Sequence, residues 1–221
     1  MPKLTITFDN GPTPGITDHV LDVLAEFNVK ATFFLVGNKL LAPGARELAI
    51  RAKYDGHWIG NHTLSHGVPL GLQCEVGSAI DEIKGMEALL KDLAHDDHLF
   101  RPNGRGKLGA HLLSQEAIEY IVDSGATVVL WTSVPLDRKV DVPTPQTWLA
   151  EAKRDVLDND WTLMVLHDRP SGHEGAQPMD YLADLLKWAN ENDIEIVQDF
   201  PPSCVPIRCG EIMMPLSDIS S

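Results

Sequence analysis

The first strand–helix–strand pattern of the chain lies in residues 3–37, KLTITFDNGPTPGITDHVLDVLAEFNVKATFFLVG. Apolar residues cluster in residues 3–9 and 30–37, as expected for two short buried strands. Between them, apolar residues recur from Val20 to Phe27 at the spacing of an amphipathic helix. The pattern therefore predicts two parallel strands joined by a helix.

The same alternation continues to about residue 200 and predicts a single α/β domain over residues 1–200. Further helices are predicted at residues 44–56, 75–95, 114–126, 144–159 and 178–193. Further strands are predicted at residues 57–63, 98–104, 127–133, 161–168 and 194–200. About seven parallel strands would form either a closed (β/α) barrel or an open doubly wound sheet. Residues 201–221 break the pattern, and we expect them to wrap the body or to lie in a homo-oligomer contact.

The composition is that of a globular protein, with 221 residues of which 43% are hydrophobic and 23% are charged. A formal net charge of −14 would repel nucleic acid and anionic membranes, so neither is expected as a partner. The N-terminus lacks the features of a signal peptide, and no apolar run approaches the roughly 20 residues of a membrane span, which predicts a cytoplasmic protein. We expect Cys74, Cys204 and Cys209 to be reduced, although Cys204 and Cys209 are near enough in sequence to pair.

Polar side chains follow successive predicted strands at the point where each strand ends. They are Asp9 and Asn10 after the first strand, His62 and His66 after the third, Arg101 after the fourth, Asp137 beyond the fifth, and His167 with Asp168 after the sixth. The carboxyl ends of parallel strands lie on one rim of such a fold, and binding sites are built there. We therefore expect these side chains to converge on one site.

The pair His62 and His66 has the spacing of a metal-binding motif, because one helical turn would place both imidazoles on one face. Neutral imidazoles suit zinc, cobalt, nickel or iron. A His-x3-His pair also occurs often in loops that bind no metal, so the spacing alone leaves both interpretations open.

Five ordered motifs, spread over about residues 3–200, resemble those of polysaccharide deacetylases, the family that includes chitin and peptidoglycan N-deacetylases. The opening segment at 4–37 resembles the family's first strand, helix and second strand, and GHWIGNHTLSH at 56–66 resembles its histidine motif. FRPNG at 100–104, VVLWTSVPLDRK at 128–139 and LMVLHD at 163–168 resemble the three later motifs. The resemblance implies a single-domain distorted (β/α) barrel that removes acetyl groups from N-acetylated sugars with a bound divalent metal.

The resemblance also implies a role for each polar residue. His62 and His66 would be metal ligands, with Asn10 at the position of the third. Asp9 would be the general base, tuned by Arg101, and His167 the general acid, oriented by Asp137. Asn103, Gly104 and Trp131 would contact the oxyanion or the substrate. We expect zinc as the metal, with cobalt or nickel as alternatives.

Three departures from the family pattern affect these expectations. The position of Asn10 is usually a second Asp, so a ligand charge is lost, and a catalytically degenerate binding protein is an alternative. No aromatic residue follows Arg101-Pro102, and Val134 and Arg138 stand where the family usually has Asp and Trp. The substrate groove is therefore altered, and we expect a small N-acetylated sugar or oligosaccharide, or else a non-sugar amide or ureido compound.

Overall fold

A computed structural model describes residues 1–135, 137, 144–171 and 175–221. Nine strands are described: β1 Lys3–Asp9, β2 Thr32–Leu35, β3 Trp58–Asn61, β4 Leu99–Phe100, β5 Thr127–Val128, β6 Trp161–His167, β7 Glu195–Ile196, β8 Ile207–Arg208 and β9 Glu211–Ile212. Seven α-helices are described: α1 Thr17–Glu26, α2 Gly37–Leu40, α3 Ala45–Tyr54, α4 Ser78–Leu90, α5 Gln115–Ser124, α6 Trp148–Leu157 and α7 Leu182–Glu191. No helix within these ranges combines the length and the apolar character that crossing a membrane requires.

The sheet is a curled, mainly parallel one with the strand order β6-β1-β2-β3-β4-β5-β8-β9. The ring closes between the segment after β5 and β6, where the N–H groups of Thr132 and Ser133 donate to the Leu163 carbonyl at 3.0 and 3.1 Å. Val165 N–H donates in return to the Ser133 carbonyl at 2.9 Å. This arrangement confirms the predicted distorted (β/α) barrel.

Two elements depart from a regular barrel. The last parallel strand, β7, pairs with the beginning of β1 rather than taking its own place in the ring. β4 keeps only two paired residues of the predicted segment 98–104, because the chain turns into a site loop after Phe100.

The segment 201–221 packs on the barrel. Ile207 pairs antiparallel with Val128 of β5, and β8 and β9 form a hairpin. Leu130 N–H donates to the Cys204 carbonyl at 2.8 Å, so the segment also fixes the chain just after β5. The three cysteines are unpaired.

β1 carries two faces because its side chains alternate. Leu4, Ile6 and Phe8 lie in a core cluster with apolar residues of α1, α3, α6 and α7. Thr7 and Asp9 lie on the opposite face, toward the barrel interior. The sequence of β1 therefore brings a carboxylate to the rim at the end of a buried, partly polar strand face.

Arg101 fills the interior beneath that carboxylate and is fully buried. One amino group of its guanidinium donates to Thr7 Oγ1 at 2.6 Å and to Asp9 Oδ1 at 2.9 Å. The other two guanidinium nitrogens donate to the carbonyls of Val129 and Leu130, both at 3.1 Å. The chain after β4 is thereby bonded to β1 and to the chain after β5.

Arg101 and Asp9 form a buried ion pair, and replacing either side chain leaves the other charge buried without its partner. We expect Arg101→Met and Asp9→Asn each to lower the free energy of unfolding by roughly 3–5 kcal/mol. The double variant should lose less than the sum, by roughly 2 kcal/mol or more, because it buries no uncompensated charge at this pair. Urea unfolding of the chelator-treated proteins measures all three.

The matched control for this cycle is the exposed ion pair of Arg51 with Asp22, in which the two side chains approach to 2.6 Å. Its coupling energy should be below about 1 kcal/mol, because solvent screens it. Equal coupling energies for the buried and exposed pairs would contradict the account.

Candidate active site

The turn after β1 brings Asp9 and Asn10 to the rim of the barrel. Asn10 adopts a left-handed backbone conformation with φ of 74°, which asparagine tolerates better than most residues. Its side-chain oxygen Oδ1 is buried and has no hydrogen-bond partner among the described residues. A buried acceptor without a partner is uncommon and indicates that something else engages it.

His62 and His66 are brought together by a loop and not by the helical turn that their spacing suggested. Thr63 and His66 both have positive φ values, of 68° and 54°, so the chain after β3 doubles back on itself. The two imidazole rings lie with their centroids 4.9 Å apart. The prediction that both rings share one face is correct, but the helical reason given for it is wrong.

The orientation of His62 is set by the Arg101 segment. Its ring Nδ1 lies 2.8 Å from the Arg101 carbonyl, which makes Nδ1 the donor. Nε2 is then the atom that faces the site, 3.5 Å from Asp9 Oδ2. No described residue hydrogen-bonds the ring nitrogens of His66, whose backbone N–H donates to Thr63 Oγ1 at 3.0 Å.

His167 and Asp137 form a second dyad at the end of β6. His167 Nδ1 lies 3.0 Å from Asp137 Oδ1, and the His167 backbone N–H donates to Asp137 Oδ2 at 2.7 Å. Both side chains are buried. Because Nδ1 is engaged by the carboxylate, Nε2 is left to serve as the proton donor or acceptor toward the pocket.

One pocket collects the predicted residues. It is lined by Asp9, Asn10, His62, His66, Pro102, Asn103, Gly104, Arg105, Gly106, Trp131, Val134, Val165 and His167. Arg101 and Asp137 lie behind this lining, in contact with Asp9 and His167. Arg138 lies outside the described residues.

The segment after β4 forms one wall of the pocket and includes Asn103 and Gly104, with Trp131 packed against it. Asn103 Nδ2 donates to the Gly67 carbonyl at 2.8 Å, so this side chain ties the wall to the histidine loop. A Cβ on Gly104 would come within 2.5 Å of the Trp131 ring, so only glycine fits there. Within the described ranges, the backbone N–H groups of Asn103 and Gly104 have no acceptor, which leaves them free to donate to a ligand.

Sequence reasoning missed Arg105, Gly106 and Val165 as pocket residues. Arg105 and Gly106 continue the RPNG loop and both have positive φ, of 51° and 80°. A Gly-containing loop that follows a site residue is a signal that could have extended the motif by two positions. Val165 lies inside β6, and its apolar strand context carries no local sign of pocket exposure.

The charges in the pocket follow from burial and neighbours. Burial opposes ionisation of Asp9, but Arg101, His62 and His167 together hold its pKa below the usual range. Burial lowers the pKa of His62, and burial with the adjacent His62 lowers that of His66 to about 3. Both imidazoles are therefore neutral at pH 7, which is the form that binds metal.

The donor set fits a divalent metal with two imidazoles and one amide oxygen. In the described ranges 1–135, 137, 144–171 and 175–221, no three His, Cys, Asp or Glu side chains are grouped to hold a metal ion. A third donor in the same pocket lining as His62 and His66 is instead Asn10 Oδ1, a neutral oxygen that is buried without a partner among the described residues. Such a set supplies no ligand charge of its own, but its atoms are of types that zinc or cobalt accepts.

Comparison with known proteins agrees with the motifs. Residues 2–122 match the family model described as polysaccharide deacetylase. A chitooligosaccharide deacetylase of Bradyrhizobium is 31% identical over 60% of this chain and 57% of its own length. A peptidoglycan-N-acetylglucosamine deacetylase of Bacillus cereus is 28% identical over 83% of this chain and 79% of its own length.

Solved structures have the same fold. A family 4 acetyl xylan esterase from Clostridium thermocellum, determined in complex with a cobalt ion, superposes with a TM-score of 0.68. It is 23% identical, and the superposition covers 88% of this chain and 87% of that one. From the family model, which matches more than half of the sequence, the chain belongs to the polysaccharide deacetylase family.

Proposed function

We propose that this chain is a metal-dependent hydrolase that removes the acetyl group from a small N-acetylated sugar or oligosaccharide. The observation that carries the proposal is that Asp9, His62, His66 and His167 line a single pocket. Arg101 holds Asp9, and the Nδ1 atoms of His62 and His167 are engaged, so their Nε2 atoms are available. His62, His66 and Asn10 would hold the ion, with zinc preferred over cobalt or nickel. A divalent ion at that position lowers the pKa of water and polarises a carbonyl.

The chain's own residues would act in two steps. In the first, Asp9 accepts a proton from the attacking water, because Arg101 keeps the carboxylate ionised and oriented. The free N–H groups of Asn103 and Gly104 donate to the oxyanion that forms on the carbonyl. In the second, His167 donates a proton from Nε2 to the leaving amine as the C–N bond breaks, while Asp137 holds the orientation of the imidazole.

The walls of the pocket bear on the substrate. Gly104 packs directly against the Trp131 ring, and Val134 adds an apolar surface where the family usually has an acid. Trp131 lines the pocket with apolar ring atoms, which suits contact with a sugar ring. The apolar Val134 also favours a second candidate, an amide or ureido compound that is not a sugar.

The direct test is release of acetate and free amine from N-acetylglucosamine and its two- to four-sugar oligomers. We expect equal amounts of both products, loss of turnover with a chelator, and recovery with zinc. Cleavage of non-sugar amides without cleavage of any sugar would favour the second candidate. Metal-free protein that binds sugars without turnover would indicate a binding protein.

Asp9 provides the sharpest test of the catalytic assignment. Replacing a positioned general base removes a factor of roughly 10²–10⁴ in rate, so Asp9→Asn should lose about that much turnover while still binding zinc. Steady-state kinetics at saturating zinc measure the loss. The control is Asp22→Asn on α1, an exposed carboxylate that should leave the rate unchanged. If Asp9→Asn kept its rate within a few fold, another group would be the base.

Asn10 is tested by zinc titration rather than by turnover. Asn10→Asp should bind zinc more tightly than the wild-type protein, because a carboxylate adds Coulomb attraction to a doubly charged ion. Val134→Asp places the same added charge on the pocket wall, away from the donor set, and should change zinc affinity much less. Equal zinc affinities for Asn10→Asp and wild type would mean that Asn10 does not contact the metal.

A further inference from the structure

Asp168 is a fully buried carboxylate that the proposed chemistry does not use. It follows His167, which is paired with Asp9 of β1 in the sheet. Asp168 is the residue after the end of β6 and is not among the residues that line the pocket. One of its oxygens, Oδ1, is buried without a hydrogen-bond partner among the described residues.

The other oxygen joins the first turn of α1 to the turn that carries Asn10. Thr17 Oγ1 donates to Asp168 Oδ2 at 2.6 Å, and the same hydroxyl accepts the Thr13 backbone N–H at 2.7 Å. Thr17 is itself buried. A continuous chain of hydrogen bonds therefore runs from the end of β6 through α1 to the segment just after Asn10.

Gly11 makes close contact with the same carboxylate. A Cβ built on Gly11 would lie 2.0 Å from Asp168 Oδ2 and 2.4 Å from its Cγ and Oδ1. Gly11 is not among the residues with positive φ, so the glycine is required here for space and not for backbone conformation. The backbone next to Asn10 thus rests directly on the Asp168 carboxyl group.

Keeping a carboxyl group buried with one oxygen unpaired costs stability, and an apolar side chain would avoid that cost. The contacts of the Asp168 carboxyl group indicate its structural role. It is held by Thr17 on one side and supports Gly11 on the other, between the elements that carry Asp9, Asn10 and His167.

We propose that Asp168 is a positioning residue that, with Thr17, holds the Asn10–Gly11 turn in the geometry that presents Asn10 Oδ1 to a metal ion. This inference rests on the proposed function. Because the carboxyl acts by its shape and by its bond to Thr17, an isosteric amide should replace it, whereas a small side chain should not.

The test measures zinc affinity by competition with a chromophoric chelator, which does not depend on turnover. Asp168→Ala and Thr17→Val should each bind zinc roughly 10–100-fold more weakly, the usual effect of removing a group that orients a ligand. The conservative variants Asp168→Asn and Thr17→Ser retain the acceptor and the hydroxyl and should stay within about threefold of wild type. Because the proposed defect lies in metal affinity, saturating zinc should restore most of the kcat of Asp168→Ala, with KM nearly unchanged.

A second-site variant separates positioning from general destabilisation. Gly11→Ala should lose zinc binding because its methyl group overlaps the carboxyl, and Gly11→Ala with Asp168→Ala should regain part of it. If Asp168→Ala does not fold, the comparison of Thr17→Val with Thr17→Ser decides the question. Wild-type zinc affinity in folded Asp168→Ala or in Thr17→Val would overturn the inference, as would no recovery in the double variant.

Failure of the proposed function would be visible separately. Wild-type protein that binds zinc but releases no acetate from sugars would overturn the deacetylase proposal, while the order of zinc affinities would still test Asp168. Wild-type protein that binds no zinc would overturn both.

Discussion

The buried guanidinium of Arg101 is the constraint on which the site depends. A buried positive charge is tolerated only where it is paired with an opposite charge and hydrogen-bonded, and here the acceptors come from β1 and from the chain after β5. The carbonyl of Arg101 itself orients His62. Arg101 therefore aligns three strands and helps to keep Asp9 ionised through its side chain, and it sets the tautomer of His62 through its backbone carbonyl.

Much of this could be predicted because local signals agreed with each other. The alternation of strands and helices predicted parallel strands with helices outside them, and the resemblance to polysaccharide deacetylases favoured the barrel over an open sheet. Polar residues at successive strand ends predicted one rim. Ser114 is the first residue of the predicted helix 114–126, and its side chain caps that helix by accepting the Ala117 N–H at 3.2 Å. At a helix end such as this one, the backbone N–H groups bond to side chains a few residues away, so the sequence shows both partners.

The parts that could not be predicted depend on long-range contacts. His62 and His66 approach each other because Thr63 and His66 have positive φ values. Neither residue is a glycine, so the sequence does not indicate this backbone conformation. The pairing of β7 with the start of β1 joins Lys3 and Leu4 to Glu195 and Ile196, which lie near opposite ends of the sequence. The requirement for glycine at Gly11 is set by Asp168, about 157 residues later in the chain, and no local pattern contains it.

The central claim is that two imidazoles and the Asn10 amide oxygen form one metal site. The measurement that tests it most directly is anomalous diffraction at the zinc absorption edge from crystals grown with zinc. The account predicts one dominant peak bonded to His62 Nε2, to a ring nitrogen of His66 and to Asn10 Oδ1, at about 2.0–2.2 Å from each. A peak at other residues, or no peak here in crystals of protein that releases acetate, would contradict it.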